Sequence, residues 1–184
     1  MEPPIEGLRV REFRAADLPQ VEGLVGEATA SWGPEWRAHV LRLYSPAFHS
    51  DDTRRLVAVM GREVVAALVL RRDVDAIVLY FLAVKAKHRK RGVGSFMVEF
   101  AEELAKREGV SLLRVDTAEE IFDNIHFYLR LGFQVGGIVR NLYVPGDSQV
   151  FLFKKIRPAR ARRPGRGQRA RPAPRASAPS FPPA

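Results

Sequence analysis

The chain contains no cysteine, which excludes disulfides, thiolate metal sites and a cysteine nucleophile. No apolar run approaches the length of a membrane span, and the start, Met1-Glu-Pro-Pro-Ile-Glu6, lacks the basic and apolar segments of a signal peptide. A cytoplasmic location is therefore the expectation. Histidine is scarce, and His39, His49, His88 and His126 show no ligand spacing. All four read as structural or solvated, and no metal is expected. No internal repeat is present.

What the chain does have is 184 residues, 46% of them apolar, enough for one ordinary domain with a sizeable core. Its net charge of +9 resembles a nucleic-acid-binding signature until it is divided along the chain. Arg157 to Ala184 holds eight arginines, seven of the 13 prolines, no acid and a single large apolar residue, Phe181. That segment carries +8 and the rest of the chain only +1. It cannot bury enough surface to offset chain entropy, so residues 157–184 read as a disordered basic tail behind a domain of residues 1–156. Such an arm suits nucleic acid, the ribosome or an acidic membrane by charge alone, or serves only to keep the protein in solution.

Within the domain, Leu8-Arg-Val-Arg-Glu-Phe13 alternates as a half-buried strand does. Asp17 is placed to cap a helix opening at Leu18-Pro19, with Val21, Leu24, Val25 and Ala28 on its buried face. Ser31-Trp-Gly-Pro34 breaks it, and a second helix runs from about Glu35 to Tyr44, ended by Ser45-Pro46. Arg54–Met60 and Glu63–Leu70 form a hairpin turning at Gly61, and Ala76–Val84 is the next strand of an antiparallel meander. Gly92–Arg107 is amphipathic, with Val93, Phe96, Met97, Phe100, Ala101 and Leu104 at helical spacing and Gly109 past its end. Val110–Asp116 is a strand, Thr117 is expected to cap a helix running to Arg130, and Phe133–Tyr143 and Gln149–Lys155 are the last two strands. The order is βαα-ββ-β-α-β-α-ββ, an α+β class.

The informative stretch is Lys85-Ala-Lys-His-Arg89-Lys-Arg-Gly92-Val-Gly94-Ser95, a basic, glycine-punctuated loop between a strand and a helix. Exposed backbone N–H groups at a helix N-terminus form a site for phosphate. A Walker A loop requires Lys before Ser/Thr, and here Ser95 follows Gly94 directly. The dinucleotide fingerprint Gly-x-Gly-x-x-Gly places Met97 where its third glycine belongs. Seven residues, Lys85 to Arg91, also separate the strand from Gly92, where the dinucleotide turn is tight. The third template is the acyl-CoA pyrophosphate loop Arg/Gln-x-x-Gly-x-Gly/Ala, matched by Arg89-Lys90-Arg91-Gly92-Val93-Gly94. Lys87, Arg89, Lys90 and Arg91 bring positive charge to it.

With Phe127-Tyr128-Leu-Arg-Leu-Gly132-Phe133 at the end of the next helix, the chain resembles the GNAT superfamily of acyl-CoA-dependent N-acetyltransferases. The resemblance spans roughly Leu8 to Ile156 and is sharpest from Tyr80 to Phe133. It implies a GNAT fold: a mixed, mostly antiparallel sheet of six or seven strands flanked by about four helices. It also implies acetyl-CoA as co-substrate and direct attack of an acceptor amine on the thioester, which fits a chain without cysteine. Leu82, Ala83 and Val84 would bond the pantetheine arm. Arg89, Lys90, Arg91, Gly92, Val93, Gly94 and Ser95 would hold the pyrophosphate. Tyr128 would be the general acid that protonates the departing thiolate; with a reference pKa of about 10 a phenol stays protonated at neutral pH. Many members carry Asn seven residues before that tyrosine; here the position is Ile121, and Asn124, one turn before Tyr128, is the replacement candidate.

No general base stands out among Asp75, Asp116, Tyr80, Glu27 and Glu35. Acceptor choice is expected to depend on Ala28–Trp36, where Trp32 and Trp36 either wall a slot or fill the core, and on the Val144–Asp147 turn. A protein or peptide amine is the leading acceptor, since the basic arm would localise the enzyme on ribosome or nucleic acid. The rival is a non-catalytic CoA-binding or regulatory module that binds nucleic acid through that arm. An enzyme transferring a longer acyl chain is a third reading.

Overall fold

The computed structural model describes residues 2–30, 34–45, 47–48, 50–143 and 145–157. Along them run β1 (Leu8–Glu12), α1 (Leu18–Ala28), α2 (Pro34–Leu43), β2 (Thr53–Met60), β3 (Glu63–Asp73) and β4 (Ala76–Val84). These are followed by α3 (Val93–Arg107), β5 (Leu112–Ala118), α4 (Phe122–Arg130), β6 (Gln134–Arg140) and β7 (Ser148–Lys155). The seven strands form one sheet in the order β1-β2-β3-β4-β5-β7-β6, antiparallel except for the β4–β5 pair. This is the expected α+β architecture. The expectations for the basic tail beyond Arg157, for Trp32 and the break around it, for Pro46, His49 and Val144 lie outside the described residues.

Helices cover the two faces unequally. On one face α1 and α2 bury Val21, Leu24, Val25, Val40 and Leu43 against Val57, Val59, Ala67, Val69 and Phe81. On the other, α3 lays Val93, Met97, Ala101 and Leu104 on Leu68, Leu79, Leu113, Val115 and Leu152, with Tyr128 of α4 in the same cluster. Strand β3 is therefore buried on both sides, which is why Val64 to Leu70 is one continuous apolar run rather than an alternation. Burial of each such side chain stabilises the fold by roughly 1.5–3 kcal/mol. The α1/α2 cluster stops at β4. Among the described residues, no helix packs on β5, β7 and β6 in that cluster.

Three local expectations are corrected. Asp17 does not cap α1: its carboxylate accepts two bonds from the Arg11 guanidinium (2.7 and 2.8 Å) and one from the Arg14 N–H (2.8 Å). A bidentate charge-assisted pair outcompetes a single cap bond. Thr117 does not cap α4: β5 starts two residues later than expected and continues through Ala118 because each of its residues from Leu112 onward pairs with β7. Ile121 takes the cap position, and Glu119 and Glu120 fall in the turn before it. Finally, β6 is shorter than the Phe133–Tyr143 run, leaving Tyr143 in the β6–β7 connection.

Candidate active site

Strands β4 and β5 pair only from Ala76 to Val78, against Leu112 to Arg114. Beyond that row they part. The cause is visible on the other edge of β4, where the register with β3 slips between Val69↔Phe81 and Leu70↔Leu79. Tyr80 is the extra residue of a β-bulge, and a bulge bends and twists its strand. Backbone groups of β4 that point away from β3 thus face an open gap in the middle of the sheet. Leu82, Ala83 and Val84 lie along this gap.

At one end of the gap the chain forms an anion cradle. Lys90 and Gly92 both have positive φ (57° and 83°), turning successive N–H groups to one side as a nest. Phe96 is the first residue of α3 to bond back, to the Gly92 carbonyl at 3.0 Å. The N–H groups of Val93, Gly94 and Ser95 are left without intrahelical acceptors at the positive end of the helix dipole. Glycine is required at 92 twice over: its φ is left-handed, and a Cβ there would come within 2.9 Å of Pro4 Cβ. Gly94 permits a close approach, since a Cβ on it would meet Phe127 Cζ at 3.3 Å and Val84 Cγ2 at 3.6 Å.

The basic residues of the loop divide into two sets. Lys85 and Lys87 both reach Glu63 Oε1 at 2.8 Å, and buried His88 lies 3.6 Å from Oε2. These cations hold the carboxyl of Glu63 down at about 2 and fasten the turn to β3, so Lys87 is spoken for. Arg89 donates from Nε to the Val84 carbonyl at 2.9 Å, tying loop to strand. Lys90 and Arg91 are exposed at the cradle.

On the α3 side of the sheet Tyr128 is buried, packed edge-on against Phe127 (5.0 Å) and Phe133 (5.3 Å). Burial, reinforced by the nearby Asp116 carboxylate, raises its pKa well above the ordinary tyrosine value, so the phenol remains protonated. Asn124 donates from Nδ2 to Thr117 Oγ1 at 3.3 Å, fastening α4 to β5.

Opposite Tyr128, on the α2 side of the sheet beside β5, five elements converge on a group of residues that the sequence left scattered. Asp116 accepts a 2.8 Å bond from the Tyr143 hydroxyl. Tyr143 stacks edge-on with Trp36 of α2 at 5.1 Å, and Trp36 lies 5.9 Å from the His39 ring. His39 Nε2 is 3.0 Å from the Tyr80 hydroxyl, and the Arg71 guanidinium lies 5.3 Å over the Tyr80 ring. Burial, then the bond to Asp116, pushes the Tyr143 phenol upward as well. Trp36 is thus not a core residue. His39, read as structural or solvated, is part of this rim, and Tyr143 and Arg71 were missed. The one pointer to Tyr143 was its place beside the Val144–Asp147 turn, already expected to shape acceptor choice. Asp75 lies at the far end of β4, while Glu27 accepts a bond from Ala86 N–H (3.1 Å) beside the loop.

Among the described residues no group of His, Asp and Glu gathers as a metal site, and no helix is long and apolar enough to cross a membrane.

Comparison with known structures places this fold. A GNAT-family protein from Desulfovibrio desulfuricans superposes with a TM-score of 0.72 at 19% identity, over 80% of this chain and 98% of that one. The ribosomal-protein-S18-alanine N-acetyltransferase of Escherichia coli gives 0.69 at 17% identity, over 85% and 97%. An aminoglycoside 6'-N-acetyltransferase complexed with coenzyme A gives 0.65 at 18% identity, over 83% and 99%. Comparison with curated sequences finds no matching relative. The family model for the acetyltransferase (GNAT) family, however, matches residues 21–133, from α1 through the parted strands and the glycine cradle to Phe133 after α4. An acetyltransferase of the GNAT family is what this chain is.

Proposed function

We propose that the protein transfers an acetyl group from acetyl-CoA directly to a primary amine, with a protein or peptide amine as the acceptor. The observation that carries this reading is the gap between β4 and β5: a turn of free N–H groups suited to phosphate lies at one end, and a buried phenol and a carboxylate lie on opposite faces of the sheet near β5. The residues present fit CoA. The nest at Lys90–Gly92 and the free N–H groups of Val93, Gly94 and Ser95 suit a pyrophosphate, with Lys90 and Arg91 supplying charge and Arg89 holding the loop. Backbone groups of the Leu82–Val84 segment that point away from β3 suit an amide-bearing arm, with the Val84 carbonyl already taken by Arg89, and Asn124 stands at the α4–β5 junction.

Acetyl-CoA supplies an acyl group activated as a thioester. Asp116, one of the acids open as the base on sequence grounds, takes the proton from the acceptor ammonium, so that a neutral amine attacks the carbonyl carbon. As the C–N bond forms and the C–S bond breaks, Tyr128 gives its proton to the leaving sulfur, and the second proton shed by the attacking nitrogen as the amide forms restores the Tyr128 phenol. A phenol held above its usual pKa, beside a carboxylate, is suited to remain protonated until that moment. No covalent relay is available to a chain without cysteine.

The α2 side of the sheet supports an extended acceptor. From Asp116 it continues along β5 past Arg114 to a hollow of about 870 Å³ lined by Asp73, Ala76, Leu112 and Lys155, giving room for residues that follow the reacting amine. Of the neighbours described above, one is named for a ribosomal protein and one for an aminoglycoside, and the peptide panel therefore includes aminoglycosides as its counterpart. Thiol release from acetyl-CoA with a panel of peptides, lysine side chains and aminoglycosides tests the reading. Turnover on peptides is the expected result. CoA-induced thermal stabilisation with no turnover on any amine would overturn it in favour of a binding module.

A further inference from the structure

The rim described above has opposite charges at its two ends, and one of them is without a partner. Arg71 on β3 pairs with Val78 on β4, which pairs with Arg114 on β5. Paired residues share a face of the sheet, so the three form one row on the side of α2. Asp116 lies two residues beyond Arg114 along β5, on the same face.

The arginines around this row differ in how they are used. Arg114 is bonded to Asp73 at 3.1 Å, and Arg72, facing the other way, to Glu108 at 2.8 Å. Arg71 forms no ion pair among the described residues; it is held instead by the face of Tyr80. A guanidinium stacked on an aromatic ring is pre-positioned while its in-plane N–H fork stays open to a carboxylate. Tyr80 is in turn fixed by His39, so the cation sits on a braced platform rather than at the end of a free chain.

Strand spacing puts the Cα atoms of Arg71 and Asp116 no closer than about 12 Å, since β5 has begun to part from β4 at that row. The guanidinium leans over Tyr80, towards the row of Asp116, which shortens the separation between the charges. That distance suits an amine and an anion a few bonds apart on one residue or on two adjacent ones. A polycationic acceptor would meet repulsion at this end of the rim.

Resting on the peptide-amine reading above, we infer that Arg71 selects acceptors with a carboxylate close to the reacting amine: peptides whose first or second residue is Asp or Glu. The amine goes to Asp116 and the carboxylate to the fork of Arg71, with Tyr80 and Trp36 walling the chain between them.

Steady-state kinetics on peptides that differ only in carrying Glu, Gln or Lys at the first two positions test this. For the unaltered protein, the Glu peptide should have the highest kcat/KM. Arg71→Gln should raise KM for the Glu peptide about tenfold, the size of a charge-assisted pair, and leave kcat and the Gln peptide nearly unchanged. Arg71→Glu should reverse the order in favour of Lys. Arg72→Gln, on the other face, should leave the order intact and controls for damage to β3. Equal use of the three peptides, or an Arg71→Gln loss that falls equally on all of them, would overturn the assignment. Absence of turnover on every amine would instead remove the catalytic reading on which it rests.

Discussion

Tyr143 and Asp116, one in the β6–β7 connection and one on β5, are joined by a 2.8 Å bond in which the phenol donates to the carboxylate. The bond fastens a loop to the sheet at the point where β4 has turned away. Because burial and the carboxylate both raise the Tyr143 pKa, the donor stays protonated throughout the neutral range. Tyr143→Phe should therefore lower kcat/KM by ~10–100-fold, the loss expected for a hydrogen bond to a charged group. The melting temperature should hardly move, since Tyr143 is about half exposed (48%). Asp116→Asn should cost more, and raising the pH towards the pKa of the acceptor ammonium should recover part of the loss, because the amine then arrives already neutral.

Tyr128 lies on the other face of the sheet, packed between Phe127 and Phe133. Tyr128→Phe keeps its contacts with Phe127 and Phe133 and removes only the hydroxyl. The expected outcome is a kcat reduced by ~10²–10⁴-fold, the usual contribution of a general acid, with CoA affinity by calorimetry unchanged. A fully active phenylalanine variant would remove Tyr128 from the mechanism.

Gly92→Ala should damage cofactor binding. A left-handed φ costs an L-residue roughly 1–2 kcal/mol, and the new Cβ would meet Pro4 at 2.9 Å. The nest must shift to relieve both. A tenfold or greater rise in Kd for CoA is expected, alongside a melting temperature lowered by a few degrees. A companion truncation of Pro4 to Gly should recover part of the loss if the clash contributes to it.

The Glu63 cluster predicts the acid limit of stability near the loop. Lys85 and Lys87 hold the Glu63 carboxyl at about 2, against 4.5 in the absence of partners. A depressed carboxylate pKa contributes stability that is fully present above the unfolded value and is lost as pH falls through the folded one. The window is thus about pH 4.5 down to 2. Glu63→Gln should flatten the acid-unfolding curve across that window; an unchanged curve would show the pairing to be screened away at this half-exposed site.

Periodicity and punctuation sufficed for the element order, because the α3 stripe and the unbroken β3 run report helical packing on one or both faces. Glycine spacing sufficed for the turn that opens α3, since only a residue without Cβ satisfies the geometry at 92. The acceptor rim was another matter. Its residues come from β3, β4, α2, β5 and a loop, with Arg71 and Tyr143 72 positions apart along the chain, and no local pattern links them. Asp17 and Thr117 were misread for a related reason. Each has the chemistry of a helix cap, but a partner distant in structure, Arg11 for one and strand β7 for the other, offered a better bond.

A flat sheet has two edges, and its central strands exchange their amide hydrogens slowly. Here the parting of β4 from β5 gives the sheet an extra pair of edges in its interior. Amides facing the gap should exchange as fast as those of an outer strand in the free protein and slow sharply when the gap is filled, so a central strand would report occupancy that a rigid core could not. Unpaired strand edges also invite stray pairing. If the proposed cofactor fills this opening, the empty protein should therefore be more prone to self-association than the loaded one.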